Sequence, residues 1–178
     1  MLNIISPMEI AENKNILSDL RDNGIDHLTI ENKFGWNYVL DHIWLYIEIN
    51  NFLRNMDSRK VVIMDVGVGR SIFHPFLEKH FNIDIIGVDR QKRSRIQSES
   101  NLIDINQDFM NIDSFEDGSV DLIYFLSAIE HNKSEKIRAI YDAIPKLVEI
   151  VEAPSRLDAG QVIILCCQRL RVYFKFFL

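Results

Sequence analysis

From Lys60 onward, apolar positions fall into short runs divided by turn residues, and these runs alternate with stretches of helical spacing. Val61-Val62-Ile63-Met64 reads as a buried strand. A glycine turn follows, then a helix through Phe76 and Leu77, then a second strand over Ile83 to Val88. This is a βαβ unit, which implies parallel strands and a right-handed crossover. Further strands are predicted at Leu102 to Ile105, Val120 to Leu126 and Val162 to Cys167. Between the last two, Ile137, Ile140, Tyr141, Ile144, Leu147 and Val148 line one face of an amphipathic helix. Pro145 lies inside that helix, where it costs about 3 kcal/mol, so a kink or early break is expected there.

Before residue 60 the pattern is helical. Ser6-Pro7-Met8-Glu9 reads as a helix start, with Ser6 as N-cap, Pro7 at the first helical position and Glu9 closing a capping box. The helix runs to about Leu20 and is broken by Asn23-Gly24. A second helix places Trp36, Val39, Leu40, Ile43, Trp44 and Ile47 on one apolar face. The expected architecture is α/β: a Rossmann-like, open, mainly parallel sheet with helices on both faces. Residues 1–59 form an N-terminal helical cap on a core of residues 60–178, within one domain.

Composition narrows the class. At 178 residues the chain is sized for one domain with a real core, and 47% apolar residues exclude a mainly disordered state. Lysine and arginine total 20 against 26 acidic residues, a net charge of −6 that argues against a broad nucleic-acid-binding face. Cys166 and Cys167 are adjacent and point to opposite faces of a strand, so no disulfide framework exists; a reducing, cytoplasmic setting is expected, with both cysteines as small core residues. No apolar run approaches the roughly 20 residues of a membrane helix, and Met1 to Lys14 lacks the pattern of a signal peptide. His27, His42, His74 and His80 show no metal-ligand spacing, and no metal site is expected. Arg90, Lys92, Arg93 and Arg95 read as a solvated basic face.

The chemistry lies at the strand ends. Asp65-Val66-Gly67-Val68-Gly69-Arg70-Ser71 puts an acid at the carboxyl end of the first strand and two glycines in the turn to a helix. Ligands of open α/β sheets bind at such ends, and glycine lets them approach the backbone. Asp89 ends the second strand, where its carboxylate is placed to accept hydrogen bonds from both ribose hydroxyls of a nucleoside cofactor. A dinucleotide fingerprint wants glycine or alanine at the position held by Ile72, which weakens nicotinamide or flavin binding.

This stretch resembles instead the class I S-adenosylmethionine-dependent methyltransferases (the type 11 group), whose first motif, an acid followed by x-G-x-G, is matched by Asp65, Gly67 and Gly69. Ser71 replaces a frequent third glycine. Asp89 matches the family's ribose-binding acid, and Gln107-Asp108-Phe109 looks like the segment that meets adenine. Phe115 to Ile123 is similar to the family's turn and fourth strand. Ser127 follows, and Ile129-Glu130-His131 resembles a hydrophobic–Glu–His element of small-molecule methyltransferases. The resemblance covers Val61 to about Cys167.

It implies S-adenosylmethionine as cofactor, held by Asp65, Val66, Gly67, Gly69, Arg70, Asp89, Arg90, Asp108, Phe109 and Ser127, and a small-molecule methyl acceptor. Glu130 and His131 are the candidate catalytic residues. A general base is needed only where the acceptor is a poor nucleophile, and a His131 that orders its loop or contacts the cofactor is the competing role. The family core continues past its fifth strand with a helix and two more strands, one antiparallel, whereas this chain ends ten residues beyond Gln168. The sheet is therefore expected to be truncated after about the fifth strand, with Arg169 to Leu178 supplying one strand at most. An open fifth-strand edge favours a homodimer paired along it. The alternative function is a non-catalytic, methyltransferase-like binding or scaffold protein; a nicotinamide or nucleotide-sugar enzyme on a similar sheet is the third.

Overall fold

A computed structural model describes residues 14–22, 36–54, 56, 60–68, 73–90, 103–109, 115–116, 118–126, 128, 162–167 and 172–177. The expected start of the first helix at Ser6 and the helix over Ile137 to Val148 with Pro145 lie outside these residues. Three helices are described, α1 (Lys14–Asp22), α2 (Trp36–Leu53) and α3 (Phe73–His80), with six strands. The strands are β1 (Val61–Val66), β2 (Ile83–Asp89), β3 (Ile103–Asn106), β4 (Leu122–Leu126), β5 (Val162–Cys167) and β6 (Val172–Phe177).

The sheet order is β3-β2-β1-β4-β5-β6. The first five strands are parallel, and β6 alone runs antiparallel, against β5. The central strand β1 is apolar except for Asp65 and is buried along almost its whole length, as a strand covered on both faces must be. Ile63, Met64, Ile85, Leu122 and Ile123 are fully buried beside one another.

The expected strands appear with small shifts at their ends. β4 begins at Leu122 rather than Val120, because Asp121 is committed to a different job. Its backbone N–H donates to the Val62 carbonyl (2.8 Å), and its carboxylate accepts from the Val62 N–H (2.9 Å). One buried acid thereby closes both polar groups of a β1 residue at the start of the β1–β4 ladder. Asp121→Ala strands the Val62 N–H, and a loss of about 1–3 kcal/mol is expected in urea unfolding. A change within about 0.5 kcal/mol would mean that the contact is surface-like. At the same end of the sheet, Lys60 pairs with Asp84 at 2.6 Å, an exposed bridge of little energetic weight.

Two expectations are revised. The sequence pattern suggests a single apolar stripe on α2, but Asp41, His42, Ile43, Trp44 and Leu45 are buried consecutively, which spans every face of a helix. The reason is that α2 is packed on more than one side. Ile43, Trp44, Leu45, Ile49 and Phe52 share one core with Ile16 and Leu20 of α1, with Phe73, Phe76 and Leu77 of α3, and with β1, β2 and β4. Tyr46 packs on Phe76 and Phe81 (ring centroids 5.7 and 4.9 Å), and burial, with the Asp19 carboxylate adding to it, raises its phenol above the ordinary range. The second revision concerns the sheet edge. The fifth strand is not left open: β6 pairs with it from Val162↔Phe177 to Cys167↔Val172. The short C-terminal region thus contributes one antiparallel strand. No described helix is long and apolar enough to cross a membrane.

Candidate functional site

Register brings the sequence-predicted acids to one end of the sheet. Asp65 is level with Gly87 of β2 and Tyr124 of β4, Val66 with Val88, and Asp89 with Asn106 of β3. The carboxyl ends of β1, β2 and β3 therefore carry Asp65, Val66, Gly67, Asp89, Arg90, Asp108 and Phe109 side by side. Gly69, Arg70, Ser127, Glu130 and His131 lie outside the described residues.

The turn leaving β1 requires a glycine. Gly67 has φ +82°, a left-handed conformation that side chains resist, and a Cβ built on it would come within 2.4 Å of the Ala128 Cβ. The turn after β1 and the segment after β4 meet at this point. The Gly67 N–H donates to the Val88 carbonyl at 2.8 Å, which ties the turn to the end of β2. Val66 is 1% exposed, so its side chain belongs to the core and only its backbone borders the crevice.

The end of β2 is held from β3. The Asn106 side-chain amide donates to the carbonyls of Asp89 (3.2 Å) and Arg90 (2.9 Å), and the Gln107 N–H donates to the Asp89 carbonyl (3.0 Å). These bonds fix the backbone that carries the Asp89 carboxylate, which is half-buried at the strand tip, while Arg90 is exposed. Beyond β3, Asp108 and Phe109 are half-buried. Phe109 stands edge-on to Phe125 of β4, with ring centroids 5.6 Å apart at 86°. This T-shaped contact fixes an aromatic wall beside Asp108.

Asp65 does not stand open in the crevice. It is 4% exposed, and its Oδ2 lies 2.6 Å from Nε2 of His74, itself 1% exposed, in the first turn of α3. Reading His74 only for metal spacing misses this pair. The available signal was a histidine at the start of the helix that follows the glycine turn, since such a helix folds back over the strand it leaves. Asn106 and Asp121 were also missed, because both act on backbone groups distant in sequence. Among the described residues, no three His, Cys, Asp or Glu side chains converge as a metal site.

A mainly parallel sheet with acids at the tips of its first two strands, and a glycine turn between them, has the arrangement of Rossmann-like α/β domains, in which ligands sit at the carboxyl ends of the strands. Residues 64–147, somewhat less than half the chain, match the family model described as a methyltransferase domain. No curated protein matches the sequence. Among solved structures, the chain is similar to a SAM-dependent methyltransferase from Archaeoglobus fulgidus (15% identity, TM-score 0.50, covering 70% of this chain and 52% of that one). It is also similar to a putative S-adenosyl-L-methionine-dependent methyltransferase from Methanococcus maripaludis (14%, 0.52, covering 80% and 60%). A third is the 1,6-didemethyltoxoflavin-N1-methyltransferase of Burkholderia thailandensis, solved with 1,6-didemethyltoxoflavin and S-adenosylhomocysteine (13%, 0.52, covering 92% and 64%). The chain thus spans 52% to 64% of the length of these structures. At such identities the likeness is one of fold, and that fold is the class I S-adenosylmethionine-dependent methyltransferase fold. The family match agrees with it and falls on the segment that carries the sequence motifs.

Proposed function

We propose that the protein is an S-adenosylmethionine-dependent methyltransferase acting on a small molecule. The observation that carries this reading is the row of strand ends: Asp65 and Gly67, Asp89, and Asp108 with Phe109, on three adjacent parallel strands within the segment matched by the methyltransferase family model. The residues suit the parts of the cofactor. An Asp89 carboxylate on a fixed strand tip accepts from both ribose hydroxyls, Phe109 offers a face or edge to adenine, and Asp108 accepts from its amino group. The side-chain-free backbone at Gly67 admits the amino-acid end, with Asp65 nearby as a counter-charge. Val66, Gly69, Arg70, Arg90 and Ser127 complete the proposed set.

The bound cofactor supplies a methyl group activated on a sulfonium. The protein's own task is then to bind both partners, align them in line and exclude water. Where the acceptor is a hydroxyl, Glu130 and His131 are proposed to take its proton. The acceptor is proposed to be small and not a nucleic acid, given the net charge of −6. The setting is proposed to be cytoplasmic, and a homodimer through the C-terminal side of the sheet, where β6 is the outermost described strand, is proposed.

Calorimetric titration of the folded chain with S-adenosylmethionine, S-adenosylhomocysteine and a nicotinamide dinucleotide tests the cofactor. Binding of the first two and not the third is expected. Absence of binding by the first two sinks the assignment. Binding without methyl transfer to any of a panel of small acceptors would favour the non-catalytic alternative.

A further inference from the structure

The Asp65–His74 pair has chemistry that the strand-end row alone does not use. A carboxylate at 4% exposure is strongly disfavoured unless it is paired, and among the described residues the His74 imidazole is its hydrogen-bond partner. At 2.6 Å from the carboxylate oxygen, Nε2 of His74 is placed to donate to it. The pair stands at the tip of β1, beside the Gly67 turn.

The pair is also well fixed. Phe73, the residue before His74, stacks on Phe76 (5.4 Å) and receives the edge of His42 of α2 (4.6 Å), which holds the first turn of α3 against the core. Across the sheet, the register partner of Asp65 on β2 is Gly87, which brings no side chain to that side. His74 is 1% exposed, too deep to meet a ligand itself.

We propose that His74 is a positioning residue for the cofactor site: it holds the Asp65 carboxylate in one orientation, as the counter-charge for the cationic ammonium of an S-adenosyl amino-acid ligand. This rests on the function proposed above. Without His74 the carboxylate loses its fixed partner, rotates about a soft torsion and meets that ammonium less well.

The test is calorimetric titration of S-adenosylhomocysteine into the full chain and its variants. His74→Leu is expected to weaken binding about 10-fold, whereas His74→Gln, whose amide reaches out to donate to the same oxygen, stays within about 3-fold of the parent. In an Asp65→Asn background, His74→Leu should change affinity by less than about 3-fold, because the charge it supports is already gone. The ¹⁵N resonances of His74 should show a protonated Nε2; a proton on Nδ1 alone overturns the proposal. Equal losses in Leu and Gln variants, or an equal effect of His74→Leu with and without Asp65, also overturn it. If His74→Leu does not fold, His74→Asn replaces it: its shorter amide should bind about 10-fold more weakly than Gln, and equality overturns the proposal. A folded parent that binds no S-adenosyl ligand refutes the proposed function and this inference together. A parent that binds while every variant binds equally refutes this inference alone.

Discussion

Asp89→Ala lowers affinity for S-adenosylhomocysteine about 30- to 100-fold and leaves the fold in place. The size follows from hydrogen bonds between a charged acceptor and two hydroxyls, each worth about 1.5–3 kcal/mol and partly replaced by water at a half-buried strand tip. The fold survives because the bonds that fix this tip are made by the Asp89 and Arg90 carbonyls, with Asn106 and Gln107 as donors, and the substitution leaves them intact. Asp89→Asn, which keeps one good acceptor oxygen, should fall between, about 10-fold weaker than the parent. Calorimetry checks all three proteins. Equal affinity of Asp89→Ala and the parent would remove the ribose contact from the account.

Gly67→Ala is expected to cost about 2–5 kcal/mol of stability. A side chain at φ +82° costs about 1–2 kcal/mol, and a Cβ 2.4 Å from that of Ala128 adds an overpacking penalty of about 1–3 kcal/mol. The clash is with a Cβ close to its own backbone, so relief requires moving the segment after β4. That movement displaces a second wall of the proposed site, so ligand affinity should fall together with stability. Urea unfolding measures the first effect and titration the second. A variant within about 0.5 kcal/mol of the parent would show that the turn and the β4 segment do not press on each other.

How much of this was legible in the sequence depends on the range of the interaction. Strands β1, β2 and β5 follow from short apolar runs, because parallel strands covered on both faces must be apolar on both faces, and their predicted limits differ by a residue or two at most. The acids at the ends of β1 and β2 were equally plain, since the turn after each strand fixes where they lie. What escaped were contacts between elements. The bond of Asp65 to His74 spans nine positions, and that of Val62 to Asp121 spans 59, with no periodicity to announce either. The all-round burial of α2 was hidden because Asp41, His42 and Glu48 are polar residues that interrupt its apolar pattern, yet all three are buried. The antiparallel β6 was readable as one strand but not by direction or partner, because both lie in its pairing with β5, from Val162↔Phe177 to Cys167↔Val172.

The central claim is that the carboxyl ends of β1, β2 and β3 form an S-adenosyl ligand site. Amide ¹H–¹⁵N spectra of the full chain, recorded as S-adenosylhomocysteine is added, test it most directly. The account predicts that the signals of Gly67, Asp89, Arg90, Asp108 and Phe109 shift in one saturable process, while those of Val62, Asp84 and Asp121, at the other end of the strands, stay in place. No shift in a folded sample, or shifts confined to the Val62–Asp121 end, would contradict it.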